Sequence, residues 1–319
     1  MLPWLLAIGI ALFLAVAVLV IARICYMRVF YSPPRRPLGE DEYPTPRGEI
    51  YDKYRPQMVE WIKQLRVMEH LDVSVTSFDG LCLRGKFFEH SKGAPIELMF
   101  HGYRGTAEAD LAGGVYRAFA QGRSALIVDH RGAGSSDGHV ITFGVNESRD
   151  CHAWVKFVIE SIDANAKIIL TGISMGAATV LTATGEELPP NVVGVIADCG
   201  YSSPRAIIKK VIRDMHLPAD LLYPFVRLGA RLYGRFDPDA RSPIAAMPRC
   251  RVPVIFFHGD TDDFVPAYMS EENYAACAAK DKRLVITEGA GHGLCLPMDP
   301  QAYLVQLAGF FEPYLKRAD

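Results

Sequence analysis

The sequence has no excess of charge of either sign: 34 Lys and Arg stand against 36 Asp and Glu, a formal net of −2. Nothing in that balance would neutralise a phosphate backbone, which excludes nucleic acid as a partner. It has no C-x-x-C pair either. Seven cysteines, an odd number, are scattered along 319 residues, so neither a disulfide framework nor a zinc site is expected. Reduced, buried thiols suit a cytoplasmic compartment. Internal repeats are absent, and 27 Gly and 21 Pro are too few for a collagen-like or low-complexity chain. With half of its residues hydrophobic, the chain can bury a core of one large domain or two small ones.

A last absence is local. From Leu2 to Ala22 there is no charged residue. Roughly twenty apolar residues at about 1.5 Å each match the hydrocarbon core of a bilayer, about 30 Å thick. Trp4 and Tyr26 flank the run, where amphipathic rings favour the interface. Arg23, Arg28, Arg35 and Arg36 follow it, and no Lys or Arg precedes it. Positive charge stays on the cytoplasmic side, so the expectation is a single-pass anchor over residues 1–31 with the rest of the chain in the cytoplasm. A cleaved signal peptide would need a basic start, a shorter run and a small-residue cleavage site; Ala22-Arg23-Ile24 is a poor one. Deleting residues 1–31 is expected to leave a soluble, active domain.

Residues 32–49 carry five prolines among mixed charges and read as an extended linker. From about residue 50 to 319 one α/β domain is expected. A helical pattern near Asp52–Met68 opens it. Eight short apolar runs follow, starting at Leu71, Leu81, Ile96, Ala125, Ile168, Val192, Val254 and Leu284. The first two flank Phe78-Asp79-Gly80, a turn signal for an antiparallel hairpin. The others alternate with helical patterns and are nearly continuous in apolar residues, as parallel strands covered on both faces are. The expected fold is a mostly parallel eight-stranded sheet with helices on both faces. Between Ala197 and Val252 the alternation stretches to about twice its usual length. This helical insertion, about 203–245, stands where active-site lids are found, though plain packing helices would read the same way.

Gly172-Ile173-Ser174-Met175-Gly176 is a G-x-S-x-G between an apolar strand and a small-residue helix. A sharp strand-to-helix turn forces such a serine into a strained conformation and lifts its Oγ above the sheet. A serine hydroxyl is inert near neutrality without a base. Of nine histidines, His292 is the best placed, on the glycine loop Gly289–Gly293 after the last strand. His101 and His258 each end a strand as His-Gly and read as loop-holding. The orienting acid falls between serine and histidine in sequence, where Asp260, Asp262 and Asp263 compete. The oxyanion needs two backbone donors: the amide of Met175 at the helix start, and that of Tyr103 in His101-Gly102-Tyr103-Arg104-Gly105.

The ordered set HGYRG, DHRGAGSSDG, GISMG, HGDTDDFVP and GAGHG, over about residues 70–310, resembles the α/β-hydrolase superfamily. It is nearest to a serine aminopeptidase-like branch of membrane-anchored bacterial hydrolases. The resemblance assigns the acid of HGxxDxxVP to Asp262, with Asp260 in reserve and Asp263 facing the next helix, and it makes Asp129 structural. It implies attack of Ser174 on an acyl carbonyl, His292 taking the proton, Asp262 holding the tautomer, and water releasing the acyl-enzyme. No metal or organic cofactor is required. The expected substrate is a small acyl compound, a carboxylic ester before a peptide. An acyltransferase and an inactive membrane-tethered scaffold are the alternatives.

Overall fold

A computed structural model describes residues 2–34 and 39–315; Arg35 and Arg36 of the linker lie outside the described residues. Eight strands form one sheet: β1 (Leu71–Thr76), β2 (Cys82–Phe88), β3 (Ile96–Phe100), β4 (Ser124–Val128), β5 (Ile168–Ile173), β6 (Val192–Asp198), β7 (Val254–Gly259) and β8 (Lys282–Thr287). Their order is β1-β2-β4-β3-β5-β6-β7-β8. β2 runs antiparallel to both β1 and β4, and every other pairing is parallel. All eight apolar runs of the sequence are strands.

The helices are α1 (Leu2–Val29), α2 (Glu49–Asp52), α3 (Arg55–Val67), α4 (Ala107–Ala120), α5 (Glu147–Phe157), α6 (Met175–Ala183), α7 (Pro204–Asp214), α8 (Ala219–Gly229), α9 (Pro243–Ala246), α10 (Tyr268–Ala276), α11 (Cys295–Met298) and α12 (Pro300–Leu315). They cover both sheet faces. Trp154, Leu98, Phe256 and Ala177 lie in the apolar layer on one side; Trp61, Met99, Phe257 and Phe311 lie in that on the other. Alternate residues of the parallel strands point to opposite layers, so each strand must be apolar throughout. Glu97, fully buried on β3, is an exception, and it is paired with Arg117 and, at 2.8 Å, with Arg123. A carboxylate so deep in the core is tolerable only with such partners.

The stretch between β6 and β7 is helical, as α7 and α8 with α9 closing it. Serine caps start two of these helices: Ser203 accepts from the Ala206 amide and Ser242 from the Ala245 amide, each satisfying a first-turn donor.

Pro3–Val29 is long and apolar enough to cross a membrane by length and composition. Its first five turns are exposed, but Ala22, Tyr26 and Phe30 are buried at helical spacing. Tyr26 and Phe30 join a third apolar cluster with Phe143, Met175, Tyr201 and the residues Ile208 and Val226 of α7 and α8. The end of α1 is therefore part of the domain core. Removing residues 1–31 would also remove Tyr26 and Phe30 from that cluster.

Candidate active site

The strand β5 ends and α6 begins around Ser174, whose backbone sits at φ 55°, ψ −115°. No L-residue adopts that conformation without strain. The turn is held tight by its glycines: a Cβ on Gly172 would lie 2.1 Å from the Gly176 carbonyl carbon, and one on Gly176 would lie 2.0 Å from the Phe100 carbonyl oxygen. The Ser174 amide donates to the Asp198 carbonyl at 2.8 Å, fixing the kink to the end of β6.

Three side chains from separate loops meet above it. The Ser174 Oγ lies 3.0 Å from His292 Nε2, and His292 Nδ1 lies 2.7 Å from Asp262 Oδ2. His292 follows β8 and Asp262 follows β7. Burial of Asp262 raises its carboxyl, but hydrogen bonds from His258 and His292, together with the Val265 amide, outweigh this and hold it at about 2. Its Oδ1 accepts from the amides of Phe264 and Val265 at 3.0 and 2.8 Å. A fixed, ionised carboxylate can orient the imidazole in front of it, and the ring's other nitrogen can take a proton from the hydroxyl it faces.

The competing aspartates stand elsewhere. Asp260 accepts from the Gly289 amide at 2.7 Å and so ties down the histidine loop. Asp263 is exposed, and its carbonyl accepts from Lys210 of α7. Asp129 accepts from the amides of Ala107 and Ser135, both at 2.9 Å. His101 also holds backbone, accepting from the His130 amide at 3.0 Å. His258 does more than hold a loop: between the Ser270 hydroxyl and the Val265 carbonyl, its Nε2 comes within 3.3 Å of Asp262 Oδ2. The i, i+4 spacing of His258 and Asp262 is the only trace of this in the sequence. Tyr51 left no trace at all. Its hydroxyl, on α2, donates to the His292 carbonyl at 3.0 Å.

The loop after β3 passes beside the serine: a Cβ on Gly102, the residue before Tyr103, would lie 3.5 Å from the Ser174 Cβ. Asp110 of α4 accepts from the Gly102 amide at 2.9 Å. Met175 opens α6, and its N–H is one of the first-turn amides that have no partner within the helix. The same loop is gripped from outside by α1. The Tyr103 hydroxyl donates to the Val29 carbonyl at 2.7 Å, and the Arg104 guanidinium donates to the Arg28 carbonyl at 2.9 Å. Terminal carbonyls of a helix need partners outside it, and here the loop supplies them.

Aromatic rings pack near the site: Tyr103 packs on Phe143 with ring centroids 4.9 Å apart, and Phe264 meets His292 edge-on at 5.1 Å. Cys199, Asp262 and His292 offer ligand atoms within 4.8 Å of one another. Burial pushes the Cys199 thiol well up, and Asp262 and His292 are engaged with each other. A groove of about 1480 Å³ runs between residues 39–46, α3 and the β1–β2 edge. It reaches Tyr103 and Arg104 but none of Ser174, Asp262 and His292.

The model of the alpha/beta hydrolase family matches residues 98–307, from β3 into the first half of α12. The chain belongs to the alpha/beta hydrolase family. This hydrolase is 27% identical over 192 residues to the uncharacterized protein YqkD of Bacillus subtilis (strain 168), a match covering 60% of this chain and 63% of that one. The chain thus spans less than two thirds of that relative's length. It is 30% identical over 226 residues to the uncharacterized protein Rv2307c of Mycobacterium tuberculosis, covering 69% of this chain and 72% of the relative. Among solved structures, the Pyrococcus furiosus esterase Pf2001 superposes with a TM-score of 0.67 at 19% identity, over 90% of this chain and all of that one. A puromycin-hydrolyzing peptidase of Mycobacterium tuberculosis superposes with a TM-score of 0.62 at 19% identity, over 79% of this chain and 40% of that one. At such identities the likeness is one of fold, and the fold carries several chemistries.

Proposed function

We propose that this hydrolase cleaves a carboxylic ester through a covalent acyl-enzyme on Ser174. His292 takes the hydroxyl proton as Oγ attacks the acyl carbonyl, and Asp262 holds the ring in the tautomer that permits it. The tetrahedral oxyanion accepts from the amides of Tyr103 and Met175. Collapse expels the alcohol, which takes the proton from His292; water then adds by the same route and releases the acid.

One observation carries the reading: the unbroken hydrogen-bond chain from Ser174 through His292 to Asp262, with the serine at a strained strand-to-helix kink. An ester is favoured because Met175 and Phe143 lie in an apolar cluster and Phe264 packs on His292, surroundings suited to an acyl group. In the same reading α1 is a retained membrane anchor, since a cleaved leader would not bury Ala22, Tyr26 and Phe30 in the domain. Arg23 and Arg28, directly after the apolar run, favour a cytoplasmic catalytic domain. Residues 203–245 are the lid.

The test is a panel of short-chain nitrophenyl esters and aminoacyl anilides offered to the full chain and to Ser174→Ala. Faster ester turnover, abolished by the substitution, is expected. Faster anilide cleavage would make the protein a peptidase. Turnover that survives Ser174→Ala would remove the serine from the chemistry.

A further inference from the structure

The anchor and the lid are joined, and the joint lies at a definite height. α8 runs antiparallel to the end of α1: Gly229 packs so closely on Ala22 that a Cβ there would lie 2.3 Å from the Ala22 carbonyl oxygen, and the Tyr233 hydroxyl, one turn on, donates to the Leu19 carbonyl at 3.3 Å. Leu19 stands four residues before Arg23, so about 6 Å toward the apolar end of the helix. Lid residues therefore reach past the first charge of the anchor, into the stretch that a bilayer must cover.

The exposed chemistry at this corner matches the boundary between headgroups and acyl chains. Leu232, next to Tyr233, is 49% exposed. The Arg23 guanidinium sits over the rings of Tyr26 and Tyr233, at 5.4 and 5.0 Å from their centroids. Arg28 and Arg235 are exposed nearby along the chain. An apolar tip, tyrosine rings and cations are what an interfacial element presents.

From this corner a packed apolar layer extends to the residues around the serine. Phe30 lies about 10 Å along the helix from Arg23. Its ring meets Phe143 edge-on at 5.8 Å and Phe236 at 5.1 Å, and Phe143 packs on Tyr103, which follows Gly102, the residue next to Ser174. Tyr26, Phe30, Phe143 and Met175 belong to one buried cluster.

We infer that the corner made by the last turns of α1 and the residues Gly229–Arg235 rests in the headgroup layer, and that the substrate is an acyl ester resident in that leaflet, handed to Ser174 from the membrane side. The inference rests on the proposed role of Ser174. Its docking half is tested independently of activity.

The full chain is reconstituted in vesicles of phosphatidylcholine with a minor share of phosphatidylglycerol. Two substrates are compared: a long-chain fluorogenic ester dissolved in the vesicles and nitrophenyl butyrate in the water. Leu232→Asp should lower turnover of the embedded ester at least fivefold and change that of the soluble ester less than twofold. In parallel, Leu232→Trp should add emission that brominated lipid quenches. Equal effects of Leu232→Asp on both esters would overturn the membrane route, and added emission that brominated lipid leaves untouched would overturn the docking. If quenching occurs but Ser174→Ala still hydrolyses both esters, the docking stands and the proposed catalytic role fails instead.

Discussion

The hydroxyl of Tyr103 donates to the carbonyl of Val29 at 2.7 Å. It joins the loop beside the nucleophile to the last turn of a helix that the sequence presents only as a membrane span. Tyr103→Phe removes that tie and keeps the ring packing. With the Tyr103 amide as the proposed oxyanion donor, whose small displacements are felt strongly in the rate, kcat for a short soluble ester should fall about five- to tenfold with KM nearly unchanged. Steady-state kinetics check it, and a change in KM alone would place Tyr103 in substrate binding instead.

The same contact separates two truncations. A chain beginning at Ile21 keeps Ala22, Tyr26 and Phe30, and should retain its melting temperature and short-ester activity. One beginning at Ser32 loses them all. Phe30, fully buried, would by itself cost about 3 kcal/mol on change to alanine. The shorter chain should therefore melt lower by several degrees or fail to fold. Thermal unfolding of both in detergent decides between them.

Two aspartates two residues apart should respond very differently. Asp262→Asn leaves His292 without its carboxylate and should lower kcat by about three to four powers of ten. Asp260→Asn keeps an oxygen to accept from the Gly289 amide and should lose less than about threefold, since only a neutral contact is weakened. Pre-steady-state acylation rates of the two variants make the comparison.

Asp262 also links pH to stability. Its carboxyl is held at about 2 in the folded protein, below the ordinary value of about 3.9 for an unfolded chain. A depressed value means the native state prefers the ionised form. The resulting stabilisation, on the order of 2 kcal/mol, is complete above about pH 4 and disappears as pH falls toward 2. The difference in melting temperature between the native chain and Asp262→Asn should therefore shrink across that window and be constant above it.

Strain at the kink has its own signature. With Ser174 at φ 55°, ψ −115°, glycine would sit more easily there than any L-residue. Ser174→Gly should abolish ester turnover yet raise stability by about 1 kcal/mol, the relief of strain less the entropy glycine brings to the unfolded chain. Chemical denaturation of the variant measures it.

Much of this was legible in the residues. The apolar runs of β3 to β7 announce themselves because strands covered on both faces have no polar side to dilute the signal. Ser174 and His292 stand out because glycines crowd around a turn and a loop that ordinary residues could not make. The end of α1 was not legible, and the reason is physical. Ala22, Tyr26 and Phe30 form a stripe at helical spacing, but inside an apolar run lipid-facing and protein-facing positions look alike, so periodicity cannot separate them. Tyr51 was hidden for another reason: its role is one hydroxyl reaching a carbonyl 241 residues away, and a sequence pattern holds no record of such a contact.

The central claim is that the Ser174 hydroxyl is made nucleophilic by His292. A fluorophosphonate probe applied to the full chain, followed by peptide mass spectrometry, tests it most directly. The adduct should be found on Ser174, and it should vanish in Ser174→Ala and fall steeply in His292→Ala. An adduct on another residue, or labelling of Ser174 that His292→Ala leaves unchanged, would contradict it.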